Sequence, residues 1–101
     1  MVDLLQFPRV LNVIVEMVTG YMGKELLIFI SNNGNKEELE VQRADIYIEK
    51  DKLIIKDLNN HEFIYCINLH NVIDCSINIE EYDIDSFIEM NWGLIHINSF
   101  S

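Results

Sequence analysis

Apolar residues along this chain recur in two rhythms. Over Pro8 to Thr19 the polar residues Arg9, Asn12, Glu16 and Thr19 come at spacings of three, four and three. That draws one polar stripe on a helix, with Leu11, Ile14, Val15 and Val18 opposite it. Pro8 suits a first helical turn and Gly20 the position just past the end. Five of these twelve residues are Val or Ile, which favour strands, so a strand is the alternative.

From Leu26 onward the rhythm is two. Leu26 to Ser31 is a compact apolar run, closed by the turn Asn32-Asn33-Gly34-Asn35. Leu39 and Val41 alternate with charged neighbours, the phase slips, and Ala44, Ile46 and Ile48 resume it. Such a slip predicts a bulge or bend in one strand. Lys50-Asp51-Lys52 turns into Leu53 to Leu58, and Asn59-Asn60 makes the next turn. Phe63, Tyr65, Ile67 and Leu69 alternate, then Ile73, Cys75, Ile77 and Ile79. Short alternating runs between polar turns predict an antiparallel meander. The expected fold is mostly β (α+β): an N-terminal helix or strand, then five or six antiparallel strands forming a small curved sheet or barrel. Residues 1–101 are expected to make a single compact domain. The order helix, glycine turn, strand, Asn-Gly turn, bent strand resembles the Sm-like small barrels in outline. The glycine and asparagine signature of their bent strands has no match here, so no RNA-binding residues follow from the resemblance.

One segment decides between two local structures. Ile79 to Met90, "IEEYDIDSFIEM", holds five carboxylates and no Lys or Arg. Ser86 and Glu89 fit a capping box of a short helix ended by Gly93. As a strand, Tyr82, Ile84, Ile88 and Met90 share one face, while Asp83, Asp85, Phe87, Glu89 and Asn91 share the other. Asn91-Trp92-Gly93 then reads as a three-residue hairpin loop with Gly93 in the left-handed conformation, and Leu94 to Phe100 returns as the last strand. The hairpin is preferred, because it accounts for the alternation of acids with apolar residues. Strand neighbours two apart lie roughly 6.5–7 Å from each other. At that spacing exposed carboxylates repel only weakly, and need neither metal nor proton to coexist.

Composition adds an asymmetry. Half the residues are apolar and 24% are charged, which is ordinary for a globular chain. Residues 1–56 carry seven Lys and Arg against nine Asp and Glu, whereas residues 57–101 carry eight acids and no base. Frequent Ile and Asn suggest a low-GC bacterium or its phage. Asp3 and Arg9 near the start, with Asn12 and Glu16 breaking the apolar run, do not make a signal peptide, and no run is long enough to span a bilayer. A soluble protein of the cytoplasm, of a bacterium or an infected host cell, is the expectation, without membrane contact. Cys66 and Cys75 are then two small hydrophobes rather than a disulfide framework.

Specific chemistry finds little footing. Asp83-x-Asp85 lacks the glycine and the glutamate of a calcium loop. His61, Cys66, His70 and Cys75 lack the tight spacing of structural zinc, and alternation points Cys66 and Cys75 in unrelated directions. No nucleophile elbow, phosphate loop or dinucleotide fingerprint occurs. Cys66 lacks the positive neighbours that would make it a thiolate. Seven scattered basic residues among 17 acids disfavour direct nucleic-acid binding. No enzyme, cofactor or metal is therefore expected. The leading expectation is a non-enzymatic interaction protein presenting an acidic face to a protein partner with a basic surface, in its sharper form a phage-type inhibitor or regulator of a nucleic-acid-handling protein. The contact residues would be Glu80, Glu81, Asp83, Asp85 and Glu89, with Phe87 and Trp92 as anchors. The competing readings are a structural subunit of a homo-oligomer, paired through sheet edges, and a small metal-binding module.

Overall fold

The structure, a computed structural model, describes residues 8–99. Helix α1 (Pro8–Tyr21) is followed by eight strands: β1 (Leu26–Asn32), β2 (Asn35–Val41), β3 (Ala44–Glu49), β4 (Lys52–Asp57), β5 (Glu62–Asn68), β6 (Val72–Glu80), β7 (Asp83–Met90) and β8 (Gly93–Ser99). One 3-10 turn, Leu69–Asn71, links β5 to β6. Phe100, assigned to the last strand by alternation, lies outside the described residues.

The N-terminal segment is a helix, despite its Val and Ile content. Val10, Ile14, Met17 and Tyr21 recur at four, three and four, and all are buried. Burial of that stripe overrides the weak strand preference of branched residues. The apolar face is rotated from the sequence expectation: Ile14 is in it, but Val15 is 49% exposed. α1 packs chiefly on β6, with β3 and β7 also in contact. Gly20 is not the terminator either. The helix runs on to Tyr21, and the chain turns at Gly23, whose φ of +77° suits glycine.

The strands form two antiparallel sheets rather than one curved sheet, and neither closes into a barrel. One has five strands in the order β2-β1-β8-β7-β6, the other three in the order β3-β4-β5. A single cluster of buried side chains joins both sheets and α1, including Ile28, Val41, Ile46, Ile55, Ile67, Ile88 and Ile97. Each such burial is worth about 1.5–3 kcal/mol against the entropy of ordering the chain.

The phase slip between Val41 and Ala44 is a change of sheet, not a bend within one strand. At Gln42-Arg43 the chain leaves the five-stranded sheet for the three-stranded one. The corner is held by hydrogen bonds: Ala44 N–H donates to Lys24 O at 2.8 Å, and Leu58 N–H to Arg43 O at 2.8 Å. Asp57 accepts the N–H groups of Gln42 and Asn59, each at 3.0 Å. Those donors hold its carboxyl below the usual carboxylate range. Stabilisation of this sign exists above the ordinary carboxylate pKa of about 3.9 and is lost as pH falls through the depressed one. Asp57→Ala is therefore expected to lower the thermal midpoint at neutral pH. The gap to the native protein should shrink in acid, as read by melting curves across pH.

Two bulges break the expected alternation. Ile55 pairs with Tyr65 and Lys56 with Phe63, leaving Ile64 extra. Val72 pairs with Met90 and Asp74 with Glu89, leaving Ile73 extra. Val72 takes the core position and Ile73 turns outward, 57% exposed. Phe63 and Ile79, also expected inside, are exposed on edge strands β5 and β6. Tyr82 is not in a strand: Glu80 pairs with Asp83, so Glu81-Tyr82 is a two-residue turn.

The last hairpin differs by one residue from the expectation. Met90 pairs with Gly93, so its loop is Asn91-Trp92 and Gly93 begins β8. Gly93 is not left-handed. Glycine is required there sterically, since a Cβ would lie 2.0 Å from Ser31 O on β1.

One polar cluster sits inside. Tyr21, fully buried, donates its hydroxyl to Ile97 O at 2.9 Å and receives the Ser86 hydroxyl at 2.6 Å. Burial pushes the Tyr21 phenol far up, so it stays neutral. Tyr21→Phe leaves the Ser86 hydroxyl unpaired and is expected to cost about 1–3 kcal/mol. Adding Ser86→Ala should recover part of that loss in denaturant unfolding. A double variant no more stable than Tyr21→Phe would contradict this pairing.

Candidate interaction surface

Strand β7 sorts its residues by parity. Ile84, Ser86, Ile88 and Met90 are buried, while Asp83, Phe87 and Glu89 are exposed and Asp85 half-buried. From Asp83 onward the acidic segment is thus a strand with a charged side, whereas Ile79 and Glu80 end β6 and Glu81-Tyr82 turn between the two; the helical alternative is excluded. The register of the five-stranded sheet extends that side across its neighbours. Along the centre of the outer face lie Glu38, Phe29, His96, Phe87 and Ser76, one from each strand. A flanking row holds Glu40, Leu27, Asn98, Asp85 and Asn78. The other flanking row holds Lys36, Ser31, Leu94, Glu89 and Asp74.

The central row is ordered by its rings. The His96 imidazole stacks on Phe87 with centroids 4.3 Å apart and planes 2° apart, and on Phe29 at 5.5 Å and 24°. Asp85 Oδ1 accepts from His96 Nε2 at 2.9 Å and from Asn98 Nδ2 at 2.6 Å. The His96 bond first, and the Asn98 bond next, hold the Asp85 carboxyl below its ordinary range. Imidazole orientation is therefore fixed by the stacking on Phe87 and Phe29 and by the bond to Asp85. Phe29, Phe87 and Leu94 remain 37%, 44% and 41% exposed. Around them stand Glu38, Glu40, Asp85 and Glu89. Asp74 is neutralised by Arg9 of α1, which pairs with its carboxylate and also donates to Cys75 O at 3.2 Å. Shallow grooves flank the rings, one of 460 Å³ reaching Phe29, Leu94 and Glu38, the other of 210 Å³ between Phe87, Glu89 and Arg9.

The residues singled out from sequence fall in three places. Asp85, Phe87 and Glu89 share the outer face. Glu80, Glu81 and Asp83 gather with Tyr82 at the β6–β7 turn, at one end of that face. Trp92 is at the opposite end, in the β7–β8 turn, half-buried against the core and lining a cleft between the sheets. It does not join the acids. Phe29, Leu94, His96, Asn98, Glu38 and Glu40 were not picked out from the sequence. The alternation Leu94-Ile95-His96-Ile97-Asn98 carries the signal for three of them, once β8 is paired with β7 in the right register.

Among the described residues no three His, Cys, Asp or Glu side chains converge in a metal-binding arrangement. Of the possible zinc ligands, His70 pairs with Asp51 at 2.9 Å. Cys66 is on β5 and Cys75 on β6, in different sheets, and both are free thiols. Burial, and then the Asp74 charge, push the Cys75 thiol up to about 11, with Arg9 opposing. It is a thiol packed in the core, donating weakly to Val10 O at 3.6 Å. No described helix is long and apolar enough to cross a membrane. The chain matches no known protein-family model and no curated protein.

Proposed function

We propose that the outer face of the five-stranded sheet binds a protein partner with a basic surface, and that the protein acts by this contact rather than by catalysis. The carrying observation is the arrangement of Phe29, Phe87 and Leu94 at the centre of the face, with Glu38, Glu40, Asp85 and Glu89 around them. An apolar centre inside a charged rim is the anatomy of a specific interface. Strand backbones and the Asp85-His96-Asn98 bonds hold the anchors in place before binding, which lowers the entropy lost on association. Glu80, Glu81 and Asp83 extend the negative field past one end, where it steers a cationic partner.

Carboxylates set on a rigid surface compete with phosphates for the same Lys and Arg. A DNA- or RNA-handling protein, with the chain as its inhibitor or regulator in a bacterial or phage setting, is the sharper form of this reading. Affinity capture from a bacterial lysate, eluted with a salt gradient, tests it. A basic protein that elutes with rising salt, and is displaced by nucleic acid, is the expected result. Captured proteins indifferent to salt would overturn it.

A second reading rests on β6. It is an edge strand with Ile73 and Ile79 exposed, and such an edge can pair with another copy. A stable dimer or ring by mass in solution would favour this assembly role, and a monomer the heterologous partner.

A further inference from the structure

A further cavity lies between the two sheets. It is a cleft of 580 Å³ opening between β2 and β5, lined at one end by the β7–β8 turn. It shares Ile30, Lys36 and Glu37 with the groove beside Phe29, but the rest of its lining is amide, aromatic and apolar and carries no charge.

Lys36 and Glu37 give the lining one charge of each sign, so it selects neither anions nor cations. Asn32, Asn35 and Asn68 contribute amides, each able to donate and to accept. Asn68 spends its oxygen on His70 N–H at 3.0 Å and keeps its NH₂ group. The side chains of Asn32 and Asn35 hydrogen-bond to no described residue. Two aromatic rings complete the site. Trp92 is half-buried in one wall and Tyr65 in another, with Ile30, Ile67 and Met90 forming an apolar base. Tyr65 and Glu37 both line the cleft, and burial first, then the Glu37 charge, raises the Tyr65 phenol pKa.

We propose that this cleft is a binding site for a neutral pyranose sugar. A pyranose has an apolar face of C–H groups, which packs on aromatic rings, and an edge of adjacent hydroxyls that both donate and accept. Paired amides answer such an edge, and a lining whose two opposite charges leave no net charge suits an uncharged ligand. The volume lies within the range of small-molecule sites. The inference is independent of the partner-binding role assigned to the outer sheet face, since none of the ring-stack residues lines this cleft.

Trp92 is the only tryptophan of the chain, so its fluorescence reports the cleft directly. Titration with glucose, galactose, mannose and their disaccharides is the experiment, with amide chemical shifts recorded in parallel. The expected result is a saturable change in Trp92 emission with at least one sugar. It should be accompanied by shifts of the Asn32, Asn35 and Asn68 side-chain amides. Asn35→Ala, at the exposed first residue of β2, should weaken that binding roughly threefold to tenfold, the range of one lost hydrogen bond, with an unchanged circular-dichroism spectrum. No saturable response to any of these sugars up to about 100 mM, beyond millimolar affinity, would overturn the proposal. So would shifts confined to residues outside the cleft, or a stronger response to uridine or adenosine than to every sugar.

Discussion

Gly93→Ala is expected to be among the most damaging single changes in this protein. The new Cβ would stand 2.0 Å from Ser31 O and 3.0 Å from Ser31 C. Both are backbone atoms of β1, so no side chain can rotate away to relieve the clash. β8 lies in the middle of the five-stranded sheet, and β1 must part from it. Overpacking against backbone belongs at the upper end of such costs, about 3 kcal/mol. For a domain of this size that corresponds to a fall in melting temperature of roughly 10–20 °C. Gly34→Ala is the control. Its φ is +87° with nothing within 4 Å of an added Cβ, so it meets only the left-handed backbone penalty, about 1–2 kcal/mol. A Gly93→Ala protein as stable as Gly34→Ala would mean that the β1 backbone does not pack against Gly93.

Phe87→Ala is expected to have the largest effect on partner binding. Phe87 is central in the face and 44% exposed. Central aromatic anchors cost about 2 kcal/mol or more when truncated, roughly a thirtyfold loss of affinity. Folding should suffer less, because the lost interaction is mainly the stack on His96, about 0.5–1.5 kcal/mol. Trp92→Ala separates this face from the other aromatic anchor read from the sequence. Trp92 lies at the far end of the hairpin and lines the inter-sheet cleft. Partner affinity should therefore survive its loss, and a surface-plasmon comparison of the two variants against the captured protein measures the difference.

The sequence carried the parity of β7 in full: acids on one side, Ile84, Ile88 and Met90 on the other. It carried the turns at Asn33-Gly34 and Lys50-Asp51 as well. Register was harder. A three-residue loop ending in Gly93 would set Phe87 opposite Ile97, whereas the two-residue loop sets it opposite His96. One residue of slip exchanges the faces of β8, which hides the ring stack and the Asp85-Asn98 bond from a strand-by-strand reading. Bulges act likewise, since nothing in "NVIDC" marks Ile73 rather than Val72 as the outward residue. The slip at Val41 to Ala44 was visible, but its meaning depends on which sheet each half joins. The anchor Phe29 sits in the continuous apolar run Leu26 to Ile30, where composition masks the alternation that exposes it. For α1, the stripe became clear only when the helix extended through Met17 to Tyr21, beyond the Gly20 stop.

If charge on the outer face drives association, added salt and loss of its carboxylates must weaken binding together. The direct measurement is the affinity of the captured partner across a salt series, for the native protein and for the variant Glu38→Gln, Glu40→Gln, Asp85→Asn, Glu89→Gln. These four side chains surround Phe29, Phe87 and Leu94, and Asn at 85 keeps an oxygen for Asn98. The expected result is a steep fall of log affinity with log salt for the native protein. The variant should bind at least tenfold more weakly at low salt, about 1.4 kcal/mol, with a flatter slope. Equal affinities and equal slopes for the two proteins would mean that these carboxylates do not hold the partner.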